Sequence, residues 1–408
     1  MNSMNQLNKS DVAVVGGGLS GLVAAATVAQ AGRSVTVYEA RDDFGGQARS
    51  VVRNGFTLNQ GPHALYRGLA GETILTELGV DLLGGEPPIE GSLVFGGQVE
   101  IAPAGPSSLL RTKALSLRGK LQIGALLGRL PKVDATAFAA TTVNEWISQL
   151  GLDERPEEMV RALVRLSTYV NQPDQLSADV AIEQMQSALR DGVLYLHHGW
   201  QSIVDQLRST SGIEFVAGTP ITELPDAPAV IVAVGGPPAA TKLLGKTYDA
   251  GPPAHVACLD LGLSRPPERN IVIGGDVPFY FSNHSPVAKL APVGHYLVGA
   301  MQYLGENDEP NPAGIRAFAD FAGIAEDSIE LSRSLHKMTA VTAIPTASRG
   351  GLAGRPKVTD TGHDHVFVAG DWVGPVGHLA DASIASGQRA AAAALGMLGA
   401  RPVGVLRQ

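Results

Sequence analysis

The sequence predicts an α/β fold: a Rossmann-type parallel sheet with flanking helices, assembled from separated stretches of chain and interleaved with an α+β domain. Three observations predict it. Val12–Val15 is a short apolar run leading into glycines, residues 19–31 are alanine-rich, and residues 34–38 are β-branched, so 11–39 reads β-α-β. Far along the chain, residues 366–369 form another apolar run, followed by an alanine-rich helix from about Ala382. Between them, AVIVAV is the unbroken apolar pattern of a strand covered on both faces of a parallel sheet. A chain of 408 residues suits two interleaved domains. Residues 1–70, 195–245 and 345–408 are expected to build the domain of the parallel sheet, and 71–194 with 246–344 the second.

The intervening segments carry their own signals. In VVRNGFTLN the Asn54-Gly55 pair sits between two strand-like pieces, a hairpin signature, and LVFGGQVEI repeats it around Gly96-Gly97. Helices are expected at 114–130, 141–150, 155–168 and 177–191, the last capped by Ser177 and stopped by Gly192. Residues 199–210, 213–216 and 229–234 return to an α/β rhythm, and 254–303 and 329–341 are strand-rich.

Composition excludes several function classes. The net charge of −8 lacks the basic footprint that a nucleic-acid backbone requires. One cysteine, Cys258, forms no internal disulfide, no CxxC redox pair and no thiolate metal site, which excludes thiol-relay reductases. In HVACLDLGL it reads as a buried strand residue. His197-His198 has no companion at ligand spacing, so no metal is expected. The polar start MNSMNQLNKS carries no secretory signal, and no apolar run reaches the ~18 residues of a membrane span. A cytoplasmic location is the expectation.

The glycines carry the first chemistry. Gly16-Gly17-Gly18-Leu19-Ser20-Gly21 is a GxGxxG placed directly after a strand. Gly16 permits the tight turn, Gly18 lets backbone approach a pyrophosphate, and Gly21 lets helix pack on strand. The helix N-terminus offers amide donors and a positive dipole to the phosphates. Glu39, 18 residues after Gly21, stands where an acid accepts from ribose hydroxyls and repels a 2′-phosphate.

After Glu39-Ala40-Arg41 come Gly45-Gly46 and then Ala48-Arg49-Ser50. This run resembles the signature of the flavoprotein superfamily of amine oxidases, phytoene desaturases and protoporphyrinogen oxidases. Arg49 matches the desaturase and protoporphyrinogen-oxidase branches, whereas Gln47 stands where the family often has Arg or Lys. Residues 366–371, VFVAGD, with ADASIASGQRAA, are similar to the family's second FAD signature. The resemblance implies that Gly370 and Asp371 meet the ribityl chain. It also implies that a helix starting near Ser383, with Ala382 and Ile384, points its N-terminus at the flavin and that Gly387 allows close packing. Gly199-Trp200-Gln201-Ser202-Ile203 resembles the family's glycine-led helix, Gly218-Thr219-Pro220-Ile221 the strand that touches the adenine, and 230–234, ending at Val234, the buried strand after it. The implied cofactor is non-covalent FAD. No second GxGxxG follows a second strand, so no separate nicotinamide domain is expected.

Gly61-Pro62-His63 resembles the segment that passes the flavin ring, which makes His63 the leading catalytic candidate. A loop histidine bonded to backbone fits the same residues. In Gly377-His378-Leu379-Ala380-Asp381-Ala382, His378 stands where amine oxidases carry a cage tyrosine, either contacting substrate or filling space. Aromatics at 5% further weaken a cage. Lys289 reads as a surface lysine. The implied activity is hydride transfer from a C–H bond of a largely apolar small molecule to flavin N5. Alternatives are an amine or amino-acid oxidase and, of another class, a non-catalytic binding protein resembling GDP-dissociation inhibitors.

One motif stands outside this reading. Residues 111–132 contain Arg111, Lys113, Arg118, Lys120, Arg129 and Lys132 with no acid, interleaved with leucines. This is the pattern of a helix lying on an anionic membrane surface, or of one with leucines in the core and charges in water.

Overall fold

The computed structural model describes residues 10–61, 63–88 and 90–399; Pro62 lies outside the described residues. Its first layer is a five-stranded, wholly parallel sheet in the order 213–216, 35–38, 12–15, 229–232, 366–368. Val12–Val15 is central and buried along its whole length, as an apolar strand covered on both faces must be. The helices Leu19–Gln30 and Leu379–Met397 pack against each other, and a Cβ at Gly387 would sit 2.3 Å from the Ser20 carbonyl oxygen. Only a residue without a side chain permits that approach.

The second layer is a seven-stranded sheet in the order 329–341, 254–263, 296–304, 279–283, 271–274, 92–95, 98–101. It is antiparallel except where Ile271–Gly274 runs parallel to Ser92–Phe95. A helical group, Pro106–Arg111, Leu117–Arg129, Val143–Gln149, Glu154–Thr168 and Ala178–Arg190, encloses a separate apolar core around Trp146, Met159 and Ile182. A small sheet of 64–66, 193–196 and 84–85 lies between the layers in sequence. Both two-residue hairpins form, with Asn54 at φ 49° and Gly55 at 82° and with Gly96 and Gly97 at 54° and 73°, the left-handed pair such turns require.

Three local expectations need correction. The last helix begins at Leu379 rather than near Ser383, its first turn tied down where the Asp381 carboxylate accepts the Gly71 N–H. Residues 218–221 are not a strand: the ladder ends at Val216, Gly218 turns at φ 64°, and the chain continues along residues 39–41 through Gly218 N–H to Arg41 O and Thr219 N–H to Glu39 O. Ser177 precedes its helix without capping it, because its hydroxyl donates to the Ala139 carbonyl at 2.8 Å instead.

Candidate functional site

A cavity of about 1200 Å³ runs from the carboxyl ends of the parallel strands toward the second layer. Ligands of open α/β sheets bind at this edge. The glycine turn opens it. Gly16 has φ 107°, and a Cβ there would stand 2.3 Å from the Ala233 carbonyl oxygen. Gly18 sits at the N-cap of Leu19–Gln30 with no side-chain cap, and a Cβ on it would meet nothing within 4 Å, so the first-turn amides face open space. The second glycine motif folds onto the first: Gly45 N–H donates to Gly17 O at 2.7 Å, and Gly46 lies against Gly18. Glu39 organises both. Its Oε2 accepts from Gly17 N–H at 2.8 Å and its Oε1 from Arg41 N–H at 2.9 Å.

Gly16, Gly18, Leu19, Ser20, Glu39, Ala40, Arg41, Gly45, Gly46, Gln47, Ala48, Arg49, Gly61, His63, Pro220, Ile221, Val234, Gly370, Asp371, His378 and Ser383 all line this cavity. Gly21, Ala382 and Ile384 do not. A Cβ at Gly21 would stand 2.0 Å from the Gly16 carbonyl oxygen, so that glycine serves helix-on-strand packing, and Ala382 and Ile384 are fully buried. Of these three neighbours Ser383 alone lines the cavity, beside Leu379, Ala380 and Asp381 of the same helix.

Asp371 stands midway. Its Oδ2 accepts from Thr342 N–H at 2.8 Å and its Oδ1 from the Thr342 hydroxyl, while burial raises its pKa against those bonds and the Arg355 charge. Arg355 was invisible in the sequence. It is buried, donates to Gly377 O at 2.8 Å, and leaves Nε and Nη2 without a hydrogen-bond partner among the described residues. Burial pushes it down to about 10, against the attraction of Asp371, Asp179, Glu183 and Asp381. Burial likewise raises Glu183 to about 7 and Asp381 to about 6. No local signal marks this cluster, whose members come from residues 179 to 381.

The far end is aromatic, against the expectation drawn from a 5% aromatic content. Five of the eight tyrosines, Tyr66, Tyr169, Tyr195, Tyr280 and Tyr303, come within electrostatic reach of one another. Tyr66 and Tyr169 line the cavity. Tyr66 donates to Ser167 O at 2.8 Å, and the Tyr169 and Tyr303 rings meet edge to face at 6.0 Å. Composition averages over the chain, whereas sheet register concentrates these rings in one place.

The two histidines differ. His378 is 1% exposed, and its Nε2–H donates to Thr168 O at 2.8 Å. Burial and the Arg355 charge lower it to about 3, so it is a neutral anchor between the last helix and residue 168. His63 keeps a buried Nδ1 without a hydrogen-bond partner among the described residues. Its ring lies 4.7 Å from that of His284, whose Nε2 meets Ser282 Oγ at 2.8 Å. Burial lowers the His63 pKa, Asp260 raises it and Arg333 lowers it. Asp260 and Arg333 form a buried ion pair joined by the Arg333 Nε–Oδ2 bond at 2.8 Å, and Arg333 also donates to Asn59 O. The lone acid inside HVACLDLGL was the available signal for this pair. Lys289 is exposed.

Residues 14–74 match the family model of the NAD(P)-binding Rossmann-like domain. The chain is 30% identical over 172 residues to protoporphyrinogen oxidase 2, chloroplastic/mitochondrial, of Arabidopsis thaliana, covering 41% of this chain and 34% of that protein. It is 41% identical over 51 residues to 4,4'-diapophytoene desaturase (4,4'-diaponeurosporene-forming) of Staphylococcus aureus strain Newman, 12% of this chain and 10% of that one. The matches thus span about a third and about a tenth of these relatives. Among solved structures, cyclohexylamine oxidase from Brevibacterium oxydans IH-35A superposes with TM-score 0.71 at 17% identity, over 96% of this chain and 100% of that chain. An oxidoreductase from Methanosarcina mazei does so with TM-score 0.70 at 16% identity, over 93% and 98%. Residues 14–74 are thus similar to the NAD(P)-binding Rossmann-like domain, and the whole chain has the fold of these solved structures.

Proposed function

We propose that the chain binds FAD non-covalently in this cavity and oxidises a largely apolar small molecule. The observation that carries the reading is the continuity of one cavity from the glycine turn, past Asp371, to the wall of Tyr66, Tyr169 and His63. The residues fit the cofactor. Glu39 is positioned for ribose hydroxyls, the uncapped first turn of Leu19–Gln30 and the open space at Gly18 for a pyrophosphate, and Arg41 and Arg49 line the same end. Asp371 and the helix starting at Leu379 would hold the flavin portion.

When bound, the flavin supplies the hydride-accepting chemistry. The protein positions substrate and excludes water. Apart from the paired or backbone-bound groups, the far end offers rings and aliphatic carbons: Tyr66, Tyr169, Leu65, Met338 and Ala340. A charged substrate would lose its hydration there with no partner to replace it, which favours an uncharged one. His63, held neutral by burial, is the imidazole that can accept a proton released on oxidation, with the Asp260 carboxylate favouring the imidazolium so formed and its partner Arg333 opposing it. His378 acts as a positioning residue through Thr168 O.

Oxidation of an amine is a second reading, favoured by the tyrosine pair lining the cavity. The visible spectrum of the purified protein, followed by anaerobic titration with neutral conjugated compounds and with amines, separates the two by which class bleaches the flavin. A colourless protein that takes up no FAD refutes both and returns the chain to the binding-protein alternative.

A further inference from the structure

Residues 106–132 form two helices, Pro106–Arg111 and Leu117–Arg129, lying side by side. Lys120 Nζ donates to Leu110 O at 2.7 Å, and a Cβ at Gly124 would meet Leu109 at 3.5 Å. The structure divides the apolar residues of this segment between two faces. Leu115, Ile123 and Leu130 enter the helical core. Leu110, Leu117 and Leu121 point the other way and are 73%, 75% and 68% exposed. Leu117 and Leu121 are one turn apart and share a face, which exposed Ala125 and Gly128 continue. A helix that is apolar on its inward face and presents leucines outward as well has an unpartnered surface.

Charge identifies what covers it. Arg111, Lys113, Arg118, Arg129 and Lys132 are exposed and Lys120 is half-buried, all within a segment that has no acid. Of the carboxylates around it, Glu100 accepts the Lys113 N–H, Asp153 pairs with Arg118 at 3.4 Å on the surface, and Asp134 and Glu154 are exposed at its flanks. A chain of net charge −8 has gathered six cations around three bare leucines. Cations alone would fit any polyanion. Leucines set among them suit a surface whose phosphates overlie hydrocarbon.

We propose that this face docks the protein on an anionic membrane surface, with Leu110, Leu117 and Leu121 in the acyl boundary and the basic residues among the headgroup phosphates. Gly119 packs on Pro156, near the start of the helix Glu154–Thr168, which leads to Tyr169 in the cavity wall. That helix spans roughly 22 Å, so the docking face is separated from the oxidation site by one helix length. The inference is independent of the cofactor reading.

Co-sedimentation of the full chain with vesicles tests it. Phosphatidylglycerol vesicles should bind the protein, phosphatidylcholine vesicles should not, and salt should weaken the binding. R118Q/K120Q/R129Q should lower affinity for phosphatidylglycerol about a hundredfold, from about fivefold per cation. L117S/L121S should lower it at least tenfold and remove the part that salt leaves. Both variants leave the core side chains in place, so each should keep the parent's cofactor content, and L117S/L121S, which breaks no hydrogen bond, should also keep its melting temperature. No sedimentation with phosphatidylglycerol at low salt, equal binding to both lipids, or a lipid-free dimer that L117S/L121S dissolves would each overturn the proposal.

Discussion

Replacing Glu39 by alanine probes the nucleotide end most directly, because this carboxylate has two separable tasks. In the protein alone it accepts the half-buried Gly17 N–H at 2.8 Å and the exposed Arg41 N–H at 2.9 Å. Water replaces the second bond readily. The first organises the glycine turn, and its loss should cost about 1–2 kcal/mol of stability in the cofactor-free protein. With FAD bound, the same carboxylate would also accept ribose hydroxyls, worth about 1.5–3 kcal/mol, so the dissociation constant should rise about ten- to a hundredfold. Glu39→Gln keeps one acceptor oxygen but turns an amide NH2 toward a backbone N–H, and should recover less than half of the loss. Titration of apoprotein by quenching of flavin fluorescence reads the affinity, and thermal melting without cofactor reads the loop. A lower melting temperature with unchanged affinity would confine Glu39 to holding the turn and refute its ribose role. No change in either would refute the reasoning from both hydrogen bonds.

Asp371→Ala should weaken FAD binding by a similar ten- to a hundredfold, because a charge-assisted contact is lost and the Thr342 N–H loses its acceptor; full flavin occupancy in the purified variant would contradict this. With one dinucleotide-binding unit visible, NADH and NADPH should leave the flavin oxidised in anaerobic mixing, and rapid bleaching by either would overturn the assignment. Glu183 adds a pH dependence. Burial, with Asp179 and Asp381, raises it from 4.5 to about 7, so the fold prefers the protonated acid. Its stability contribution is therefore complete below about pH 4.5 and lost as pH rises through about 7. Allowing for partial exposure, Glu183→Gln should stabilise the protein by about 1–2 kcal/mol at pH 8 and by almost nothing at pH 4.5. Equal melting-temperature shifts at the two pH values would rule this out.

The parts of this protein that the sequence determined by itself are those encoded by neighbours in the chain. Val12–Val15 and residues 229–232 are apolar without interruption because both faces of a parallel strand are covered, and that pattern is readable without coordinates. Asn54-Gly55 and Gly96-Gly97 announce their hairpins because few other residues accept positive φ twice in succession. The glycine turn and Glu39 are legible because strand, turn, helix and acid follow at fixed spacing. Boundaries were less legible. Leu379, Ala380 and Asp381 lie outside the alanine run, and it is the Asp381 bond to Gly71, 310 residues away, that ties them into the last helix.

The rest only the tertiary structure decided. Folding Gly45 onto Gly17 joined two motifs that the sequence shows as separate lines, and the sheet order brought 366–368 beside 229–232. His63 lies against His284, Asp260 faces Arg333 across adjacent strands, and Tyr66 and Tyr169, 103 residues apart, line one cavity. The outward turn of Leu117 and Leu121 also belongs here, because their pattern of leucines and charges is compatible with either face inward until the core around Ile123 is packed. Local pattern sets backbone periodicity and turn geometry within a few residues. Which side chains meet across tens or hundreds of residues is set by strand register and by which face each layer buries, and neither is a property of any one segment.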